Sequence, residues 1–161
     1  MNFVIHENPV LRSRSNYIAR ADLTPFGFGG QVEQLWLMQC EDDSFELCCI
    51  PFRVYGMSLN DRVRLSDDGS LIAGLVAKSG RRVLRVLLTS EAGQLELTEG
   101  ISRIKSEVTS SGLLNEWSGD RHIAIDVPAM VDVTALMQVI EREEEAGVAF
   151  WEWGDSLPFS A

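Results

Sequence analysis

The chain has 161 residues, 45% of them hydrophobic and 24% charged, a balance that is typical of a globular protein and excludes extended disorder. This length accommodates one domain, or two small domains that pack tightly together. The formal net charge of −10 at pH 7 repels phosphate backbones and anionic lipid, so we expect neither nucleic acid nor membrane as a partner and favour a basic protein.

Residues 1–80 show the period of two that is typical of β-strands. The predicted strands cover residues 16–23, 31–40, 44–50, 61–66 and 71–78. Acidic turns lie between successive strands, Glu41-Asp42-Asp43 in one place and Asp67-Asp68-Gly69 in the other. Strand 71–78 is predicted to form a hairpin with strand 81–89 across Ser79-Gly80. We therefore predict a small antiparallel β-barrel or curled sheet.

Beyond strand 81–89 the apolar period becomes helical. The first apolar stripe is formed by Leu97, Ile101, Ile104 and Val108. Thr98 is predicted to cap this helix and Gly112 to end it. A second helix is predicted between Asp132 and Gly147, and the remaining segments read as strands at 113–117, 121–127 and 148–153.

The resulting order, βαββαβ, is that of a ferredoxin-like unit. The sequence therefore predicts an α+β protein with a β-rich subdomain at 1–80 and a ferredoxin-like subdomain at 81–161, packed tightly together or forming one domain. One sheet face, with Leu84, Val86, Ile123 and Ile125, should be covered by the helices. The opposite face carries Val83, Arg85, Leu87, His122, Ala124 and Asp126. That face is too apolar to be fully exposed to solvent, so we expect the N-terminal half or a second subunit to cover it.

Several segments together resemble a bacterial family of domains of unknown function, number 4265. These segments are Ile50-Pro51-Phe52, Tyr55-Gly56-Met57-Ser58-Leu59-Asn60-Asp61-Arg62-Val63, Ser79-Gly80, Ile123-Ala124-Ile125-Asp126-Val127-Pro128 and Glu143-Glu144-Glu145-Ala146-Gly147, and they span roughly residues 31–155. The resemblance implies no settled activity, although some members look like immunity proteins of secreted polymorphic toxins. Family members often carry a histidine after the Ser-Gly turn, and Arg81 stands there in this chain.

The sequence offers no convergent catalytic or metal-binding constellation. His122 and Asp126 share a strand face but lie roughly 13 Å apart at about 3.3 Å per residue, too far for a dyad. His6 lies in a terminus without a pattern, and Cys40, Cys48 and Cys49 lack metal-ligand spacing. We therefore predict neither a cofactor nor a metal. Reduced cysteines, together with an N-terminus unlike a signal peptide, predict a cytoplasmic protein.

The strongest functional signal is the acidic end, where residues 132–155 contain seven carboxylates and one arginine. The predicted partner-binding residues are Glu141, Glu143, Glu144, Glu145, Trp151, Glu152, Trp153 and Asp155, with Glu41, Asp42 and Asp43 as a secondary patch. Carboxylates set around tryptophan anchors suit a basic protein partner. The simpler interpretation is a solvated helix face that serves solubility, with either tryptophan in the core.

Our leading hypothesis is an immunity-type binding protein, not an enzyme, that neutralises a basic toxin by stoichiometric occlusion of the toxin's active surface. The alternative is a small enzyme or ligand-binding domain with a pocket between the β-rich half and the βαββαβ sheet. A cleft converging on His122, Arg85 and Asp126 would favour that alternative. A third interpretation is a homodimeric scaffold that uses the open sheet face.

Overall fold

A computed structural model describes residues 1–89, 91 and 93–161 of the chain. Within these residues the protein is α+β, as predicted, with two sheets and two α-helices. The first sheet consists of β1 (Asn2–Val4), β2 (Tyr17–Asp22), β3 (Gln31–Gln39), β4 (Phe45–Leu47), β5 (Arg62–Leu65) and β6 (Ile72–Ala77). The second consists of β7 (Arg82–Leu88), β8 (Asn115–Ser118), β9 (His122–Val127) and β10 (Ala149–Trp153).

The first sheet is organised around β3, its longest strand. β3 pairs in parallel with β1 and antiparallel with β2 and β4, and β5 and β6 continue the antiparallel order. β1 lies in the terminus for which the sequence predicted no element. Among the described residues one isolated bridge, between Arg20 and Leu71, connects β2 to the start of β6, and the sheet is not closed into a barrel.

The second sheet is antiparallel throughout, in the order β10-β7-β9-β8. Helices α1 (Gln94–Ser111) and α2 (Thr134–Glu145) pack on one of its faces. The predicted inner positions are confirmed, because Leu84, Val86, Ile123 and Ile125 are fully buried in the core that includes the apolar stripes of both helices. This burial of apolar area is the main source of stability for the layer.

The ends of the helices agree with the sequence in part. Gly112 ends α1 in the left-handed conformation, with φ of 69°, as predicted. The predicted cap at Thr98 is wrong, because α1 begins four residues earlier, at Gln94, and the Thr98 hydroxyl donates instead to the Gln94 carbonyl at 2.8 Å. Ahead of α2, the Asp132 carboxylate accepts the Thr134 N–H at 2.9 Å. It thereby satisfies a helix N–H that has no intrahelical partner.

The predicted hairpin across Ser79-Gly80 does not form. β6 pairs with β5 in the first sheet, whereas β7 pairs with β9 and β10 in the second. The buried carboxylate of Asp61 holds the connection in place by accepting from Ser79 N–H at 2.7 Å and from Lys78 Nζ at 2.6 Å. Ser79-Gly80 is therefore a crossing between sheets, and β7 belongs to the second sheet alone.

The N-terminal half covers part of the open face of the second sheet. Val83 and Ala124 are fully buried in the core of the first sheet, as expected for a covered face. Leu87, on the same face, remains 49% exposed. The N-terminal half therefore stops short of Leu87, at the end of β7 that pairs with the start of β10.

Neither described helix is long and apolar enough to span a bilayer.

Candidate functional site

A cavity of about 470 Å³ lies where the cover of the second sheet ends. Both halves of the chain contribute to its walls. Its lining residues are Phe28, Gln31, Phe52, Arg53, Tyr55, Arg85, Leu87, His122, Phe150, Trp151 and Glu152. The volume is in the range of small-molecule sites, which are mostly apolar with a few placed polar groups.

Arg85 of β7 is the most deeply placed charge in the cavity wall, with a residue exposure of 2%. Its guanidinium donates to the Val54 carbonyl and lies 5.0 Å from the centroid of the Tyr55 ring. Its Nη1 is 3.5 Å from the Glu152 carboxylate. The Nε of Arg85 is buried without a hydrogen-bond partner among the described residues. This atom packs against the backbone of Gly154, where an added Cβ would lie 2.5 Å from it. A buried donor without a partner is costly.

Tyr55 and Glu152 form a pair at the wall of the cavity. The Tyr55 hydroxyl donates to the Glu152 carboxylate, with oxygen–oxygen distances of 2.7 and 2.9 Å. Burial, together with the hydrogen bond and the charge of Glu152, raises the pKa of Tyr55 to about 12. Tyr55 is therefore a protonated donor at neutral pH, and the carboxylate of Glu152 is already engaged.

Arg53 also lines the cavity and lies in the segment that follows β4. Its guanidinium donates to the Gln31 side chain and lies 5.4 Å from the centroid of the Phe28 ring. Arg53 also lines two neighbouring grooves of about 380 and 430 Å³. The side chain is half-buried, so it can reach the solvent in the cavity and remain held by Gln31.

His122 is a neutral member of this wall. Burial, followed by the charges of Arg85 and Arg53, lowers the pKa of His122 to about 4. Its ring lies 5.8 Å from that of Phe52, in a tilted arrangement. The two arginines therefore make the environment of the ring positive, and His122 acts at pH 7 as an uncharged donor and acceptor.

A buried carboxylate holds the backbone of the cavity floor. Glu33 of β3 accepts the N–H groups of Phe52, Arg53 and Val54 at 2.6, 2.8 and 2.9 Å. Three consecutive amides that converge on one charge fix the conformation of the segment. The position of Arg53 at the cavity is therefore set by a residue that is 0% exposed.

His6 connects this carboxylate to the second sheet. Its Nε2 is 2.9 Å from Glu33 and its Nδ1 is 2.7 Å from Glu116 of β8, which also accepts the Ile50 N–H at 2.6 Å. Burial alone would lower the pKa of His6, but the Cys49 sulfur beside the ring and the two carboxylates outweigh burial and raise it well above 6.5. His6 is thus an imidazolium that bridges the two sheets.

The partner residues predicted on α2 do not share one environment. Glu141, Glu144 and Glu145 are exposed, whereas Glu143 is 1% exposed and its carboxylate is bound by the Arg103 guanidinium of α1. Glu143 therefore belongs to the contact between the helices and does not reach the surface. The exposed three form what we call the α2 acidic end.

The residues predicted on β10 lie on two faces. Trp151 and Trp153 are half-buried against the core beneath the helices, and Arg82 stacks on the Trp153 ring at 3.9 Å. Glu152 is engaged by Tyr55, and Asp155 accepts from Arg82 Nε at 2.9 Å and Val83 N–H at 3.1 Å. Phe150, at 61% exposure, is the open aromatic side chain of this strand.

The secondary acidic patch forms a surface turn. Glu41, Asp42 and Asp43 are all exposed. Asp42 accepts from the Ser44 hydroxyl at 2.6 Å and from Arg62 at 3.2 Å, so one of the three carboxylates stabilises the turn between β3 and β4. Asp43 occupies the left-handed region that such a tight turn requires, with φ of 60°.

Of His122, Arg85 and Asp126, whose convergence would favour the pocket alternative, two meet at the cavity. His122 and Arg85 line the cavity, but Asp126 is bound by Arg81, with Arg81 Nη2 at 2.6 Å. His122 and Asp126 thus form no dyad, as expected. Among the described residues no group of three or more His, Cys, Asp or Glu side chains is arranged to hold a metal ion.

Sequence reasoning missed the buried network of His6, Glu33 and Glu116. One signal was available for Glu33, because a period of two places it on the same face of β3 as Leu35 and Leu37, which are fully buried. A carboxylate in an inward position requires a partner. No local pattern indicated His6 or Glu116, whose roles depend on contacts between distant parts of the chain.

The chain is similar to one protein family and to a solved structure. The family model described as a domain of unknown function (DUF4265) matches residues 33–151. A crystal structure of a hypothetical protein from Neisseria gonorrhoeae is similar with a TM-score of 0.62, 18% identity, and coverage of 80% of this chain and 86% of that one. At this identity the likeness shows a shared fold. No curated protein matches.

Proposed function

We propose that this chain, which belongs to the family of domains of unknown function DUF4265, binds a small organic molecule between its two sheets. The observation that carries this proposal is the cavity of about 470 Å³, where aromatic side chains and the guanidinium groups of Arg53 and Arg85 line one volume. Convergent polar groups in an apolar concavity are typical of ligand sites. The family resemblance inferred from the sequence is confirmed by the family match.

We propose binding without turnover. Among the residues that the structure describes, the lining includes neither cysteine, serine nor threonine. The phenol of Tyr55 has a pKa raised to about 12 by burial and Glu152, and the pKa of His122 is lowered to about 4 by burial and the two arginines. These directions make Tyr55 a poor base and His122 a poor acid at neutral pH, which favours recognition over proton transfer.

A fragment screen followed by amide NMR shifts tests the binding site. We expect hits whose largest shifts fall on residues of the cavity wall. Leu87→Trp should abolish these shifts by filling the cavity, since Leu87 is 49% exposed and its replacement leaves the core intact. Leu114→Trp is the matched control, because Leu114 is 42% exposed outside the cavity wall. Binding that survives Leu87→Trp would contradict the proposal.

The finer assignments of fold and location are also proposals. We interpret the second sheet with its two helices as a ferredoxin-like unit, supported by the element order βαββαβ from β7 to β10. We place the protein in the cytoplasm, supported by the free cysteines Cys40, Cys48 and Cys49, two of which are buried. Thiols remain free more readily in a reducing compartment.

Our second proposal is a protein-binding role of the immunity type. It is supported by the α2 acidic end, where Glu141, Glu144 and Glu145 are exposed within two helical turns of a chain of net charge −10. Such a surface would attract a basic toxin domain and speed its association. Because Glu143 is paired with Arg103, this surface is defined by three carboxylates, while Trp151 and Trp153 are half-buried against the core.

A further inference from the structure

We propose that the cavity is selective for a small carboxylate with a planar aromatic body, an inference that rests on the ligand-binding function proposed above. The carboxylate would be received by Arg53, and the ring would lie among Phe28, Phe52 and Phe150. Each part of this ligand corresponds to a feature of the wall.

The charge of the wall is opposite to the charge of the molecule. Arg53 and Arg85 contribute two positive groups, while Glu152 contributes the one carboxylate of the lining. That carboxylate already accepts the single proton of the Tyr55 hydroxyl, which lies 2.7 and 2.9 Å from its two oxygens, and it is 3.5 Å from Arg85 Nη1. The lining side chains thus carry one more positive than negative group, while the Glu33 carboxylate beneath the floor is paired with His6. In a chain of net charge −10, such a lining favours an anion.

Arg53 has the donors that a carboxylate needs. A guanidinium carries five N–H groups in a planar fork that matches the two oxygens of a carboxylate. Within the described part of the chain, one hydrogen bond of this guanidinium is present, from Nη1 to Gln31. Gln31 and the Phe28 ring hold the group in place and leave the rest of the fork free.

Arg85 adds a second, buried positive charge. It is buried, and its Nε has no partner among the residues that the structure describes. Desolvated charge acts at short range with little screening, so Arg85 strengthens the positive potential felt by a ligand at Arg53. Burial is the largest cause of the lowered pKa of His122, and the charges of Arg85 and Arg53 add to it against the opposing carboxylates of Glu33 and Glu152.

The apolar part of the wall calls for a flat ring. Phe52 lies deep, at 2% exposure, whereas Phe150 is 61% exposed at the edge of the second sheet. Phe150 and the neighbouring Leu87 form an apolar rim that the fold leaves uncovered. Aromatic rings pack well in offset or edge-to-face arrangements, and a planar ligand would cover this rim.

NMR titration with three probes tests the two parts separately. The probes are 2-naphthoate, 2-naphthamide, which has the ring without the charge, and acetate, which has the charge without the ring. We expect 2-naphthoate to bind at least about tenfold more tightly than 2-naphthamide, as for a charged hydrogen bond, and also more tightly than acetate. Shifts should map to the cavity wall.

Variants assign the two parts to residues. Arg53→Gln should weaken 2-naphthoate about tenfold and leave 2-naphthamide unchanged, because it removes the carboxylate partner alone. Arg64→Gln is the matched control, an equal change of charge at an exposed arginine of β5 outside the wall. Phe150→Ser should weaken both naphthalene probes, and its 61% exposure makes it tolerable to the fold.

The outcomes separate this inference from the function on which it rests. Equal affinity for 2-naphthoate and 2-naphthamide, or no effect of Arg53→Gln, would overturn the carboxylate selectivity and leave a neutral ligand in the same cavity. Acetate binding as tightly as 2-naphthoate would overturn the aromatic part. If no fragment or probe shifts the wall, both the selectivity and the ligand-binding function fail.

Discussion

At the scale of single residues, His6 lies between carboxylates of two different sheets. Its ring nitrogens are 2.9 Å from Glu33 and 2.7 Å from Glu116, and its ring stacks on Phe52 with centroids 4.4 Å apart. The three charged side chains are almost fully buried. Removal of the positive member takes the nearest counter-charge from two buried carboxylates, which is among the more destabilising changes in a protein interior.

We predict that His6→Ala lowers the free energy of unfolding by about 3 kcal/mol, measured by urea denaturation near pH 6. His122→Ala is the control histidine, since its ring is neutral at that pH and partly exposed, and its removal should cost about 1 kcal/mol. Equal losses from the two variants would show that His6 contributes packing rather than charge.

The same network predicts the pH dependence of stability. The pKa of His6 is raised above 6.5, so its contribution is complete below pH 6.5 and is lost as the pH rises through the folded-state value. Burial alone would raise the pKa of Glu33, but His6, the Phe52 N–H and Arg85 outweigh it and lower the pKa below 4.5. The contribution of Glu33 is therefore complete above pH 4.5 and is lost as the pH falls through its folded-state value.

The stability difference between the parent protein and His6→Ala should accordingly be greatest between pH 4.5 and 6.5 and narrow above 6.5. Denaturation curves at several pH values measure this difference. A difference that grows from pH 6.5 upward would contradict the imidazolium assignment.

At the scale of elements, Glu143 joins α2 to α1. A Cβ at Gly100 of α1 would lie 3.0 Å from the Glu143 carboxylate and 2.8 Å from Val148, so the helix passes close to this side chain. Glu143→Gln should lower the free energy of unfolding by about 1 to 2 kcal/mol, because a charged bond to the half-exposed Arg103 is weakened. Thermal unfolding measures the loss.

Glu144→Gln is the matched control on the same helix, where an exposed carboxylate is changed in the same way. Its effect should stay within about 0.5 kcal/mol. If both variants lose equal stability, the helix end as a whole responds to charge, and the ion pair with Arg103 is not the cause.

The elements themselves were largely predictable, because period-two and helical patterns are local. Gly112 ends α1 as expected, and the strand assignments of β2 to β10 agree within a few residues. The separation of β6 and β7 into different sheets was not predictable from the Ser79-Gly80 turn, since the crossing is bound by Asp61, which is distant in sequence. Local turn chemistry does not determine such long-range contacts.

At the scale of the whole molecule, the net charge of −10 acts on any partner before contact. We predict that reversing Glu141, Glu144 and Glu145 to lysine slows association with a cognate basic toxin domain about tenfold and reduces its salt dependence. Stopped-flow association at several salt concentrations measures both, after co-expression has identified the domain.

Reversal of three exposed carboxylates elsewhere, Glu7, Asp67 and Asp120, makes the same change in net charge and is the control for this experiment. Equal slowing by both sets would assign the effect to the overall field, and unchanged association after the first reversal would remove the α2 acidic end from the interface.

The candidate site was predictable only in outline. The period of two places His122 and Arg85 on one sheet face, which is compatible with a pocket beside that face. Arg53 and Tyr55 come from a segment without a repeating pattern, so their arrival at the same cavity depends on how the halves of the chain pack. The acidic end is visible in the sequence because its carboxylates are neighbours along the chain, whereas the buried charges of Glu33 and Glu116 are isolated in sequence.

The clamp of Glu33 on three successive amides has a consequence for recognition kinetics. That segment is ordered when the chain folds, so a ligand would meet a site that already has its bound conformation. Little conformational entropy of the protein would then be lost on binding. Occupied and empty forms should then superimpose closely along residues 50–54. Differences in affinity among ligands would then arise mainly from their dissociation rate constants rather than from their association rate constants.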